Sequence, residues 1–398
     1  MLCKVCYNSG KANAIRIMLK KKTERVTHMR RLIPLLLALC LLLCACNSNP
    51  EQTEPSTEPS TAATTQLEET TKAPEETTEP TTEPTEATTE PVEVAYRNPL
   101  NGEALDAPYV GRIIAVTIDN VPPALPHHGI SQADLFFEMF VNDYCTRGFA
   151  LFSNAGEVES IGPIRSLRYN FTDIALGFDA VVNYASGSPG PLNYIRKSGL
   201  DNISVDEGNY AYRDSYRYKT QGYNWEHTMF AEGQSLLDGA EERGFEIEIE
   251  DQDFGLTFAE EAVPASGEAA SEIEIIYTHK GRTKDSVLKY NAETDQYEFW
   301  QYGDAMIDEN NDQPEAFRNV IVMLVPVYND QDNYHVAELM GSGEGYFACG
   351  GKVVEIRWVH ENAEDSYTFT LADGTPLTLG VGSSYIGIVP TGSPVNFS

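Results

Sequence analysis

Basic residues are scarce in this chain: 28 Lys and Arg stand against 60 Asp and Glu over 398 residues, a net charge of −32. Without residues 1–45, which hold nine of the bases and one acid, 19 bases face 59 acids and the net charge is −40. A surface of that sign repels phosphodiester backbones and excludes nucleic acid as a partner, and it gains nothing from anionic lipid headgroups. Cysteine is almost absent beyond residue 46, where only Cys145 and Cys349 remain. That excludes a disulfide framework; two buried, unpaired thiols are expected, with one bridge between the halves as the alternative. His127-His128 has no second pair at metal-binding spacing, so no metal and no cofactor are expected. There is no Gly-x-Ser-x-Gly elbow and no cysteine in a local catalytic context, so no catalytic residue is assigned. Long apolar runs are missing too. The 14 apolar residues 32–45 fall short of the roughly 18 that a membrane-spanning helix needs.

That short run is nevertheless informative. It follows Arg30-Arg31 and ends in Leu43-Cys44-Ala45-Cys46, which resembles a bacterial lipoprotein signal. Residues 1–45 are then a cleaved signal segment, with Met18 and Met29 as alternative starts, and Cys46 is the lipidated first residue of the mature chain. The acyl chains, rather than a polybasic patch, would hold the protein at the cell membrane on its extracytoplasmic face.

Residues 46–96 are built from Thr, Glu, Pro and Ser in near-repeats such as Thr-Thr-Glu-Pro. Such a segment has too little apolar surface to offset the entropy of ordering its backbone, so it reads as a disordered linker that works as a stalk. The remaining length exceeds one ordinary domain. The acidic, aperiodic stretch 246–271 marks the expected boundary, between an N-terminal domain at 97–250 and a C-terminal domain at 272–398. In the first, strand signals at 112–118, 135–141, 146–152 and 179–185 alternate with a helical period over 166–178, and Pro191 opens a further short helix. In the second, strand-like runs at 273–278, 287–290, 297–302, 320–328, 353–359, 368–371 and 385–389 make it nearly all β. Gly341-Ser342-Gly343-Glu344-Gly345 reads as a glycine-rich turn, because no Lys-Ser/Thr or helix follows to make it a phosphate loop.

Several candidates for ligand binding stand out. Gly162-Pro163-Ile164-Arg165-Ser166-Leu167-Arg168 places two guanidinium groups and a hydroxyl at a helix start, where the helix dipole already favours anions. In so acidic a chain this is an anion site, unless Arg165 and Arg168 pair with Asp173, Asp119 or Glu138. Ser188, in the loop 186–190, adds a second group of possible anion donors. Asp119 and Asn120 end a buried strand, where α/β-type sheets present site residues. Glu138 lies between Phe136 and Phe140 and needs a partner such as Arg147 on the next strand. Arg213, Asp214 and His227 fall in an aromatic-rich segment whose Tyr212, Tyr216 and Trp225 suit stacking on sugar or peptide.

In order along the chain, Ile118-Asp119-Asn120, Ser131-Gln132-Ala133-Asp134, Thr146-Arg147, the Gly162 to Arg168 motif, Ser186-Gly187-Ser188-Pro189, Arg213-Asp214, His227 and Tyr385-Ile386-Gly387-Ile388-Val389-Pro390 resemble the YerB-like bacterial lipoproteins, which have an N-terminal and a C-terminal domain of unknown function. The resemblance implies a layered α+β sandwich with an α/β-like N-terminal domain and a β-rich C-terminal domain. It implies no activity. The chain departs from the family pattern at Ser186, where a glycine is usual, and at Thr228-Met229-Phe230, where Asn-Leu-Tyr is usual. The functional expectation is a membrane-anchored protein that binds an anionic cell-envelope ligand. The alternatives are a wall hydrolase or transferase using carboxylate and histidine chemistry, and a protein-interaction scaffold at the cell surface; the oligomeric state is left open.

Overall fold

Strand β1 (Ile114–Asn120) is buried along its whole length, as a run of apolar residues inside a sheet requires. Its sheet is the organising element of the computed structural model, which describes residues 96–142 and 144–398. The signal, Cys46 and the Thr/Glu/Pro stalk lie outside the described residues. β2 (Leu135–Asn142) and β3 (Cys145–Phe152) form the expected hairpin, with a register shift between Phe140 and Asn142. β1 runs antiparallel to β3 and parallel to β4 (Val181–Tyr184), which pairs in parallel with β5 (Asn202–Ser204).

From the second half come β6 (Glu272–His279), β7 (Arg282–Asn291), β8 (Gln296–Gln301), β9 (Asn319–Val325), β10 (Gly341–Cys349), β11 (Lys352–His360), β12 (Thr368–Leu371), β13 (Ser384–Pro390) and β14 (Val395–Phe397). Pairing between β13 and β2, with Tyr385 opposite Phe136 and Gly387 opposite Glu138, joins strands from both sides of the 246–271 stretch into one 11-stranded sheet. β6, β7, β8 and β14 belong to a second, six-stranded sheet. The whole is strand-rich with a minority of helix, a mixed α+β fold.

The period-2 alternation of each strand decides what meets what. Val116, Ile118, Phe136 and Phe140 face Ile275, Leu288 and Phe299 of the six-stranded sheet. Ala115, Phe137, Met139 and Phe149 face the helices α1 (Tyr169–Leu176) and α2 (Pro189–Ser198) through Phe171, Ile174 and Ile195. A third helix, α3 (Gly233–Glu242), contributes Leu236 and Ala240 to the first of these cores.

Two local expectations are corrected. The helix expected over 166–178 starts only at Tyr169, because the backbone before it is claimed by the sheet: Arg165 N–H donates to Thr117 O at 2.9 Å and Leu167 N–H to Ser186 O at 3.0 Å. The glycine-rich segment 341–345 is not a turn but the first half of β10. Two of its glycines answer close packing: a Cβ on Gly345 would lie 2.1 Å from Val322 O, and one on Gly343 would lie 2.6 Å from the Trp358 indole nitrogen.

Candidate functional site

The register of β1, β2 and β3 separates the candidate residues onto opposite faces of the large sheet. Asp119 pairs with Arg147 across β1 and β3, while Asn120 pairs with Thr146 and Glu138 with Gly148. Successive side chains point to opposite faces, so Glu138 and Arg147 cannot form the expected ion pair. Glu138 instead meets Lys284 of β7, whose Nζ lies 2.6 Å from Oε1.

Around that pair closes a fully buried polar network. Glu138 Oε1 also accepts from Asn120 Nδ2 at 2.9 Å and from the Thr146 hydroxyl, while Oε2 accepts from Ser286 Oγ at 2.7 Å and from the Tyr385 hydroxyl. Gln301 Nε2 donates to Asn120 Oδ1 at 2.7 Å. Burial by itself drives the Glu138 carboxyl up, but the charge and hydrogen bond of Lys284, with the hydroxyl donors, hold it below its ordinary value. Glu138 and Asn120 are thus enclosed and satisfied, and they knit the two halves together. Lys284 was missed because it is far away in sequence; its signal was the alternation that aligns it with Ser286 and Leu288 on the buried side of β7.

On the other face, at the end of β1, a second charged cluster assembles. Asp119 Oδ2 accepts from His227 Nδ1 at 2.7 Å and lies 3.0 Å from Arg165 Nε, an ion pair without hydrogen-bond alignment. Arg165 reaches outward to Glu226 Oε2 at 2.8 Å. The Asp119 carbonyl accepts from His127 Nε2 at 3.0 Å, and His127 Nδ1 lies 2.9 Å from Glu315. A carbonyl and a carboxylate flank that ring, an arrangement that favours the imidazolium, which donates from both nitrogens. Burial pulls His127 down, but Glu315 outweighs it and the net shift is upward.

Arg147 and Arg168 differ from Arg165 in forming no ion pair among the described residues, although the charge of Asp119 reaches Arg147. They are 6% and 7% exposed, and each spends one Nη1 on a carbonyl, Ser166 O at 2.9 Å and Leu167 O at 2.8 Å. Among the described residues the Nε atom of each is buried without a partner. Arg168 also stacks 4.1 Å above the Tyr334 ring. Burial, and then the charge of Arg147, pull the Arg168 guanidinium below its ordinary value, as expected where positive charge is not compensated. Ser188 Oγ is buried without a partner as well, whereas Ser166 contributes its carbonyl. Ser186 stands at φ 62°, in the left-handed region where a glycine is easier, and its N–H is taken by Asp206 Oδ1 at 3.2 Å.

Arg213 and Asp214 do local work at the rim. Arg213 Nη1 donates to Trp225 O at 2.7 Å and its guanidinium lies 5.1 Å from the Trp225 ring; Asp214 Oδ1 accepts the N–H groups of Tyr216 and Arg217. Tyr212, Tyr216 and Trp225 are exposed beside them. Arg217 was missed by sequence reasoning: it is buried against the Phe230 ring and paired with Glu309. Thr228, at the family's asparagine position, returns its hydroxyl to Trp225 O at 2.9 Å.

Cys145 is half-buried and Cys349 buried, both as free thiols. Among the described residues no group of three or more His, Cys, Asp or Glu is placed to hold a metal, and no helix is long and apolar enough to cross a membrane. A cavity of 690 Å³ lies away from the arginines, lined by Asp179, Glu250, Asp251, Asp253, Glu361 and Asp365; its charge suits no anion.

A family model described as "Protein of unknown function (DUF3048) N-terminal domain" matches residues 100–246, and its C-terminal counterpart matches residues 273–386. The chain belongs to this family, with both of its domains present. It is 25% identical over 282 residues to YerB of Bacillus subtilis (strain 168), a protein named as a lipoprotein, covering 70% of this chain and 81% of that one. The crystal structure of the Bacillus subtilis YerB protein superposes with a TM-score of 0.66 at 23% identity, covering 75% of this chain and 99% of that one. The fold is therefore shared with YerB.

Proposed function

We propose that this protein is a lipoprotein anchored through Cys46 to the extracytoplasmic face of the cell membrane, and that it binds an anionic cell-envelope ligand at the arginine cluster. The anchor is supported by Leu43-Cys44-Ala45-Cys46 and by the lipoprotein name of the Bacillus relative. One observation carries the ligand: in a chain of net charge −32, Arg147 and Arg168 are buried and form no ion pair among the described residues, and the carboxylate whose charge acts on Arg147, Asp119, is already engaged by His227 and Arg165. A buried, unpaired charge costs several kcal/mol, and an incoming anion offsets that cost. Arg165 stands at the entrance, already balanced by Asp119 and Glu226. The exposed Tyr212, Tyr216 and Trp225 offer ring faces to the rest of the ligand. Calorimetry with a panel of peptidoglycan and teichoic-type fragments tests this. Binding by the wild type that is lost in Arg147→Gln/Arg168→Gln is expected; equal binding by both proteins overturns it.

The Asp119–His227 pair supports a second reading. Asp119 fixes Nδ1 and turns Nε2 outward, 3.7 Å from Glu226 Oε1, the arrangement of a histidine base oriented by a carboxylate. Glu138 is too enclosed to assist. Digestion of purified cell wall with mass analysis of the products decides between the readings: products lost in His227→Gln favour catalysis, and their absence over varied pH favours binding alone.

A further inference from the structure

The starts of α1 and α2 lie side by side. Leu167 and Gly187 form a parallel bridge, so the next residue on each segment, Arg168 and Ser188, turns its side chain to the same side. Each of these is also the residue that opens a helix, and neither helix start is capped by a side-chain hydrogen bond. In α2 the first and third residues are Pro189 and Pro191, which leaves the Gly190 N–H as the donor of its first turn. Arg147 completes the group from β3: its Nη1 donates to Ser166 O at 2.9 Å, two residues before Arg168. Ser188 Oγ, Arg147 Nε and Arg168 Nε are all buried and all without partners. Three unpaired polar atoms between two uncapped helix starts are unusual, since buried polar groups are nearly always bonded.

We infer that Arg147, Arg168 and Ser188 form a subsite for one compact oxyanion, a carboxylate or a phosphate group, and that Arg165 positions Asp119 and His227 rather than holding the anion. The inference rests on the anion-binding reading above and names the part of the cluster that does the binding. Arg168 presents the planar fork that matches two oxygens of such a group, Ser188 supplies a hydroxyl donor, and the helix starts add their partial positive charge.

Titration calorimetry of the full chain with acetate and with inorganic phosphate, at constant ionic strength, tests it. The wild type binds one of the two at one site per chain, and the better probe tells a carboxylate from a phosphate ligand. Arg168→Gln weakens that binding at least tenfold and Ser188→Ala at least threefold, while the exposed Arg357→Gln leaves it within twofold. Ser188→Ala keeps the test decisive if Arg168→Gln does not fold. No binding of either probe by the wild type, or equal binding by wild type and Ser188→Ala, overturns the subsite. If wall fragments still bind and lose that binding in Arg147→Gln/Arg168→Gln, the broader reading survives without the subsite; if fragments and probes both fail, both fall.

Discussion

Replacing Lys284 by methionine removes a buried ammonium while keeping most of the side-chain volume, and it leaves the Glu138 carboxylate with Asn120, Thr146, Ser286 and Tyr385 as donors. Removing one partner of a buried ion pair costs about 3–5 kcal/mol. The four surviving donors place Lys284→Met near the lower end, at about 3 kcal/mol. Glu138→Gln leaves Lys284 buried and unpaired, at a cost of similar size. Once one charge is gone the other has nothing to pair with, so the double variant falls short of the sum by about 2 kcal/mol or more. The pH dependence is a second check. In the native protein Lys284 holds Glu138 below its ordinary value, so that contribution is present above the unfolded carboxyl pKa and is lost as pH falls through the folded one. In Lys284→Met the largest opposition to burial is gone and only the hydroxyl and amide donors remain, so the carboxyl rises relative to the native protein. The deficit of the variant then shrinks as the pH is lowered from 7 towards the unfolded value, because the folded variant takes up the proton before the native protein does. Urea unfolding followed by tryptophan fluorescence at two pH values measures both effects. Costs that add to within about 0.5 kcal/mol, or a deficit that grows on acidification, would refute the reasoning.

Asp134 is buried and accepts from Ser153 N–H and Asn101 Nδ2, both at 2.6 Å, yet burial pushes its carboxyl up to about 6. A raised value means stability that is fully present below the unfolded carboxyl pKa and is lost as pH rises through about 6, worth about 3 kcal/mol; Asp134→Asn should flatten the dependence of the denaturation midpoint on pH between 4 and 7, and an unchanged slope counts against it. Gly345→Ala forces a Cβ to within 2.1 Å of Val322 O, so β9 and β10 must part; a loss of about 2 kcal/mol or more is expected in thermal melts, and a change below about 0.5 would contradict the packing. Burial raises the thiols of Cys145 and Cys349, so a thiol reagent at neutral pH should label both slowly in the native protein and quickly in urea; fast labelling of the native form would show that one is open to solvent.

Much of the local structure was legible in the residues. The hairpin of β2 and β3, a helix inside residues 166–178 and the β character of the second half follow from short-range alternation and propensity. So does the concentration of arginine in residues 162–168. What failed did so where chain segments compete. Leu167 has its place in the helical period, but Ser186 takes its N–H and β1 takes that of the preceding Arg165, so the helix starts later. The segment 341–345 has turn composition, but Gly343 and Gly345 stand where Trp358 and Val322 lie too close for a side chain.

The sequence by itself determined the charge, most of the element types and the residues available for a site. Adjacent Asp119 and Asn120 were bound to face opposite ways, since that follows from the strand period alone. Only the tertiary structure decided which face each of them meets, and hence which residues are partners. Register aligns Asp119 with Arg147 and Glu138 with Gly148, and the second sheet brings Lys284 to Glu138 from 146 positions away. Among the described residues Arg147 and Arg168 form no ion pair, although the charge of Asp119, held by His227 and Arg165, reaches Arg147. Ion pairing depends on a few ångströms of separation, and such distances across the fold are set by packing rather than by any local run of residues.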